Sequence, residues 1–143
     1  MSTDRQRPQI PQDMKAFNEK LIADFRANHG TLTGQMAGSQ PLLLTTTGLK
    51  TGKQRTVVLG YRKHGDAYAV IASNNGADKT PAWYHNLMAK PTAGVEVGAE
   101  KFEARARVAT ADERLELAKK IDYYERQQAL TEREIPIVVL ERI

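Results

Sequence analysis

Apolar residues recur along this chain with two different periods. Phe17, Leu21, Ile22 and Phe25 follow Met14 at helical spacing, so residues 13–28 predict an amphipathic helix that His29-Gly30 brings to a stop. Its polar positions, Lys15, Glu19, Lys20, Asp24 and Arg26, nearly cancel in charge. A helix lying on a membrane would be more basic, so packing against the domain is the better reading. The period then shortens. "PLLLTTT", "QRTVVLGYRK" and "AYAVIAS" are short β-rich runs separated by the turn formers "GLKTGK" and "HGD", and they predict three strands in an antiparallel meander. "PAWYHNLMAK" suits a short helix with Pro81 in its first turn and Thr80 as its cap. "PTAGVEV" and "KFEARARVA" predict a hairpin across "GAE". In its second arm Phe102, Ala104, Ala106 and Val108 alternate with Lys101, Glu103, Arg105 and Arg107. Thr110 and Glu113 form a capping box for a helix at 111–128, striped by Leu117, Ala118, Ile121 and Tyr124. "IPIVVLERI" ends the pattern as a strand, with Pro136 marking an edge or an entry position.

About six strands with inserted helices and no βαβ rhythm predict an α+β protein built on an antiparallel barrel or sandwich. At 143 residues the chain reads as a single domain at 13–143, preceded by a loose arm at 1–12. The arm has charge and proline but no apolar core, so it does not read as a secretory signal. No apolar run is long enough to span a bilayer. The chain has no cysteine, which excludes disulfides, zinc-thiolate sites and cysteine nucleophiles, and fits a cytoplasmic protein.

Charge adds a local feature. The net charge is +4, and residues 41–65 contain Lys50, Lys53, Arg55, Arg62 and Lys63 without one Asp or Glu. Such a cluster concentrates anions, although a solvated hairpin with basic tips has the same composition. "TTTGLKTGKQR" invites comparison with a P-loop, but Gly48 and Gly52 are too close, Gln54 stands where Ser or Thr belongs, and a strand follows instead of a helix. What remains is a glycine turn flanked by Lys50, Lys53 and Arg55, suited to a phosphate or carboxylate. His29, His64 and His85 are scattered and form no metal set. Ser73, in "ASNNG", reads first as a turn residue. The basic residues lack interleaved aromatics and no RNA-module signature is present, which argues against nucleic acid. With no evident acid, base or nucleophile, an enzyme of this sequence would rely on a cofactor. The long polar stretch "ASNNGADKTPAWYHNL" carries the sole Trp of the chain, a residue suited to something flat.

Three segments, "PLLLTTTGLKTGKQRTVVLGY", "VIASNNGADKTPAWYHNL" and "IPIVVLERI", together resemble the deazaflavin-dependent nitroreductase and quinone reductase family of actinobacteria, over nearly the whole chain after about residue 38. The resemblance implies a split β-barrel that binds coenzyme F420, a 5-deazaflavin with a phosphodiester and an oligoglutamate tail. It implies hydride transfer from the reduced coenzyme to a small organic acceptor such as a quinone, an activated enone or lactone, or a nitro compound. Cofactor contacts are implied for Lys50, Lys53, Arg55 and Thr56, and for Ser73, Asn74, Gly76, Lys79, Pro81, Trp83 and Asn86. Tyr124 and Ser73 are the implied catalytic candidates, Tyr124 as proton donor or positioner over the acceptor. Its spacing in the stripe from Leu117 equally suits a core residue. Gln127 and Leu130 stand where nitroimidazole-reducing members carry further tyrosines, which argues against that substrate. The alternatives are a split barrel holding FMN, FAD or haem, and a non-catalytic deazaflavin carrier. A quinone acceptor would be compatible with peripheral contact at the inner face of a membrane. Nothing in the sequence selects an oligomeric state.

Overall fold

The computed structural model describes residues 14–34, 37–73 and 78–143. The arm expected at 1–12 lies outside them. In chain order the elements are α1 (Met14–Ala27), β1 (Leu42–Thr47), β2 (Gln54–Leu59), β3 (Arg62–His64), β4 (Ala67–Ile71), α2 (Ala82–Ala89), β5 (Thr92–Val97), β6 (Glu100–Val108), α3 (Ala111–Lys120), α4 (Tyr124–Gln128) and β7 (Ile137–Arg142). The strands form one antiparallel sheet in the order β2-β1-β5-β6-β7-β4-β3.

The sheet has seven strands, where the sequence pattern predicts about six. The run "QRTVVLGYRK" divides at Gly60-Tyr61 into β2 and β3, which occupy opposite edges. The expected meander is therefore broken: β2 pairs with β1 and β3 pairs with β4. The division also fixes the shape. From Leu59 to Arg62 the chain reaches at most ~11 Å, so a sheet with these two residues at its opposite edges must curl until the edges meet. The result is a split barrel.

Alternation along the strands sorts side chains between the barrel interior and its outer face. Leu42, Leu44, Val70, Val95, Val138 and Leu140 point inward, joined by Phe102, Ala104 and Ala106. Val108, expected on the same face, lies near the strand end and is exposed. Outside, Leu43 and Val58 pack under Phe25 and Leu21 of α1, while Ala69, Ile71, Ile137 and Val139 pack under Leu117, Ile121 and Tyr124. Strands β1, β4 and β7 are thus covered on both faces, which is why they read as unbroken apolar runs.

Helix ends follow local chemistry. His29 and Gly30 both adopt positive φ, 53° and 95°, and stop α1. A Cβ on Gly30 would lie 2.5 Å from the Cα of Gly98, so α1 and the β5–β6 hairpin meet backbone to backbone. Arg26 binds Glu96 beside this contact through two bonds of 3.0 and 2.9 Å. The capping box at Thr110 and Glu113 is present. The helix it opens is two helices, broken at residues 121–123, so that Ile121 and Tyr124 both reach the core. Thr80 does not cap α2: the helix starts one residue later, with Tyr84 N–H donating to Pro81 O, and Pro81 is its N-cap. Pro136 is an entry residue and not an edge marker, since β7 lies between β6 and β4.

Candidate active site

Because β2 is an edge strand, the barrel is open along its outer side. A cleft of about 480 Å³ runs there, lined by residues 57–59 of β2, Ile71 at the end of β4, Ser73 beyond it, residues 79–83 at the start of α2, and Asn18 of α1. Ser73, Lys79, Pro81 and Trp83, four of the residues singled out in the sequence, meet in this cleft. Trp83 is 6% exposed and belongs to the interior core, so it forms a wall and not a free stacking platform. Asn74 and Gly76 lie outside the described residues.

The basic turn follows from its glycines. Gly48 N–H donates to Lys53 O at 2.8 Å, Gly52 N–H to Gly48 O at 3.0 Å, and Gly52 has φ 70°. Lys50, Lys53 and Arg55 are exposed on it, and none forms an ion pair among the described residues. Arg26, Arg62, Arg107, Arg114 and Arg142, by contrast, are each matched to a carboxylate. Asn86 joins the turn to α2. Its Nδ2 donates to Thr46 Oγ1 at 3.0 Å and its Oδ1 accepts from Leu49 N–H at 3.3 Å. Asn86 is buried, so this side chain ties the turn to α2, although none of Lys50, Lys53, Arg55, Thr56 and Asn86 lines the cleft itself. Thr56 is engaged across the ladder, its hydroxyl 2.7 Å from that of Thr45.

Tyr124 is not brought to the cleft lining. It is 5% exposed, in the outer core under α3. Its hydroxyl accepts from Arg114 and donates to Ile135 O at 3.0 Å. Burial, ahead of the nearby charges, raises its pKa. Gln128, one turn on, donates to Arg133 O at 2.6 Å and accepts from Ile135 N–H at 2.9 Å.

Sequence reasoning missed the neighbours of the cleft. Asn18 and Val58 border a second groove of about 500 Å³, flanked by Phe17, Leu21 and Tyr61. The hydroxyl of Tyr123 is buried against Gly60 and has no partner among the described residues; Gln127 Oε1 is also buried without one. The hydrophobic stripe gives no hint of these positions, because a helix continued straight past Ile121 would have turned them elsewhere. A further cavity of about 410 Å³ adjoins His64, Arg107 and Glu141, whose side chains already form one network: Glu113 binds both His64 and Arg107, and Arg107 binds Glu141.

The split barrel carries an open cleft whose lining, among the described residues, holds one cation, Lys79, and the comparisons give the class. Residues 19–142 match the model of the F420H(2)-dependent quinone reductase family. The chain belongs to that family. An F420H(2)-dependent quinone reductase of Mycobacterium tuberculosis is 36% identical over 128 residues, 84% of this chain and 86% of the relative. A solved F420-H2-dependent reductase, FDR-A, superposes with a TM-score of 0.63 at 35% identity, covering 71% of this chain and 93% of its own. The haem storage protein HutZ of Vibrio cholerae superposes with a TM-score of 0.51 at 15% identity, over 87% of this chain and 89% of its own; it shares the fold alone.

Proposed function

We infer that the protein is an oxidoreductase that uses reduced coenzyme F420 to reduce a quinone-type acceptor. The observation that carries this reading is the trio Lys50, Lys53 and Arg55, without ion pairs among the described residues and fixed by Asn86 to the helix that walls the cleft. These residues fit a ligand with a flat, largely apolar ring and an anionic arm. When bound, the deazaflavin supplies a hydride to the acceptor.

The residues of the chain divide the tasks among them. Lys50, Lys53 and Arg55 would hold the anionic arm by charge-assisted hydrogen bonds. Ser73 and Lys79 would line the ring's polar side. Val57, Leu59 and Ile71, with Pro81 and Trp83, exclude water, which strengthens every polar contact inside. The groove past Asn18 and Val58 would take the acceptor's apolar portion. Reducing a quinone to a quinol takes one hydride and one proton. The Ser73 hydroxyl, or water at the cleft mouth, is better placed to supply that proton than Tyr124, whose hydroxyl is bound inside the core.

No helix among the described residues is long and apolar enough to cross a membrane. A membrane-dissolved quinone would be met by peripheral contact, which flotation with vesicles would detect.

Parallel titrations with F420 and FMN test the reading. The deazaflavin should bind at least about tenfold tighter, a difference of ~1.4 kcal/mol. Equal or tighter FMN binding would overturn it. A protein that binds the reduced coenzyme but passes no hydride to quinone, enone or nitro acceptors would be a carrier instead.

A further inference from the structure

One nitrogen of Arg133 gathers both ends of the loop that carries Ser73 and Lys79. Its Nη2 donates to Ala72 O at 3.0 Å, to Ser73 O at 2.8 Å and to Lys79 O at 3.4 Å. Beside it, Thr131 Oγ1 donates to Asp78 Oδ1 at 3.0 Å. Ala72 N–H donates in turn to Pro136 O at 3.0 Å. The segment 131–136 therefore grips residues 72–73 on one side and 78–79 on the other, from across about sixty positions of sequence. The grip is itself braced. Gln128 binds the carbonyls of Arg133 and Thr131 and the N–H of Ile135, and Tyr124 holds Ile135 O.

We propose that Arg133 and Thr131 are positioning residues for the coenzyme: they fix residues 72–73 and 78–79 relative to each other before the ligand arrives, so that Ser73 and Lys79 stand in the cleft with a smaller ordering cost on binding. The proposal rests on the coenzyme reading above. Its physics is that of pre-organisation. A loop free at its ends must lose conformational entropy when a ligand fixes it, and that loss is subtracted from affinity. A guanidinium suits the task because it stays charged at every physiological pH and its planar fork is rigid. Neither residue lines the cleft, so each acts through the loop.

The test uses Arg133→Lys and Thr131→Val, with Ile121→Val as a control that loosens the adjacent core without touching the loop. Fluorescence titration with oxidised F420 gives affinity, steady-state quinone reduction gives KM for the coenzyme and kcat, and hydrogen exchange reads the amides at 72, 73, 78 and 79. Kd and KM should rise together, about tenfold in Arg133→Lys and about threefold in Thr131→Val, the scale of one lost hydrogen bond with and without a charged donor. kcat at saturating coenzyme should stay within about twofold, and the loop amides should exchange faster. Ile121→Val should lower the melting temperature and leave Kd unchanged. A wild type that binds F420 while both loop variants bind it equally well overturns the proposal and spares the functional reading. A wild type that does not bind F420 overturns both.

Discussion

The hydroxyl of Tyr124 has all its bonds before any ligand arrives. Replacing Tyr124 with Phe keeps the ring in the core and leaves Arg114 and the Ile135 carbonyl without this partner. The expected cost is about 1–3 kcal/mol of stability. Turnover with a quinone should change less than about twofold, against the 10²–10⁴-fold that loss of a positioned proton donor typically causes. Thermal melts beside initial rates separate the two. Tyr123 presents the opposite case. Its hydroxyl is buried without a partner among the described residues, and a Cβ on Gly60 would come within 3.0 Å of it. Gly60→Ala should therefore destabilise the protein by roughly 1 kcal/mol, the lower end of overpacking. In a Tyr123→Phe background the same substitution should be nearly neutral, and a double-mutant cycle in urea would show the difference. At this scale the sequence told half the story. It singled out Trp83 as suited to something flat but not that only 6% of it is exposed, since a single aromatic in a polar stretch carries no sign of what covers it.

Among the elements, the N-terminus of α3 gathers the densest charge. Glu113 receives Arg107 at both oxygens, the Thr110 N–H and the His64 ring. Arg107, first among these, holds the carboxyl far below its ordinary value of 4.5. A folded carboxylate that releases its proton more readily than the unfolded one stabilises fully above that ordinary value. Its contribution is lost as pH falls below about 4.5 toward the depressed folded value. The melting temperature of wild type should exceed that of Glu113→Gln by roughly 5 °C at pH 7, and the two melting curves should converge as the medium is acidified toward pH 2. This capping box could be read from Thr110 and Glu113 because both partners lie within four residues. The division of β2 from β3 could not. Gly60 interrupts the β-rich run, but a lone glycine there equally marks a bulge, and strand-forming residues report that a segment is extended, not which neighbour it takes. The grip of Arg133 on the backbone at Ala72, Ser73 and Lys79 escaped for the same reason on a longer range. Its partners are sixty residues away, and nothing near Arg133 distinguishes it from the exposed charges around it.

For the molecule as a whole, the two openings that share Asn18 and Val58 imply a preference among acceptors. A quinone with a short prenyl chain should be reduced with a lower KM than its chain-free parent. Phe17→Ala should raise KM for the prenylated compound about threefold to tenfold, the worth of roughly 1 kcal/mol of apolar contact, and leave the parent unaffected. Equal effects on both would place the hydrocarbon elsewhere. The placement of β7 has a consequence of another kind, for synthesis. This strand is translated after every strand it joins, yet it is the sole bridge between β6 and β4. Until it arrives, β1, β2, β5 and β6 can form one half-sheet and the β3–β4 hairpin another, but nothing in the ladder connects them. The nascent chain therefore carries two unfinished edges on the ribosome, and the barrel is completed by a single late insertion. Chains stopped before Ile137 should accumulate as aggregates or chaperone clients, and the same segment supplied as a separate peptide should rescue them.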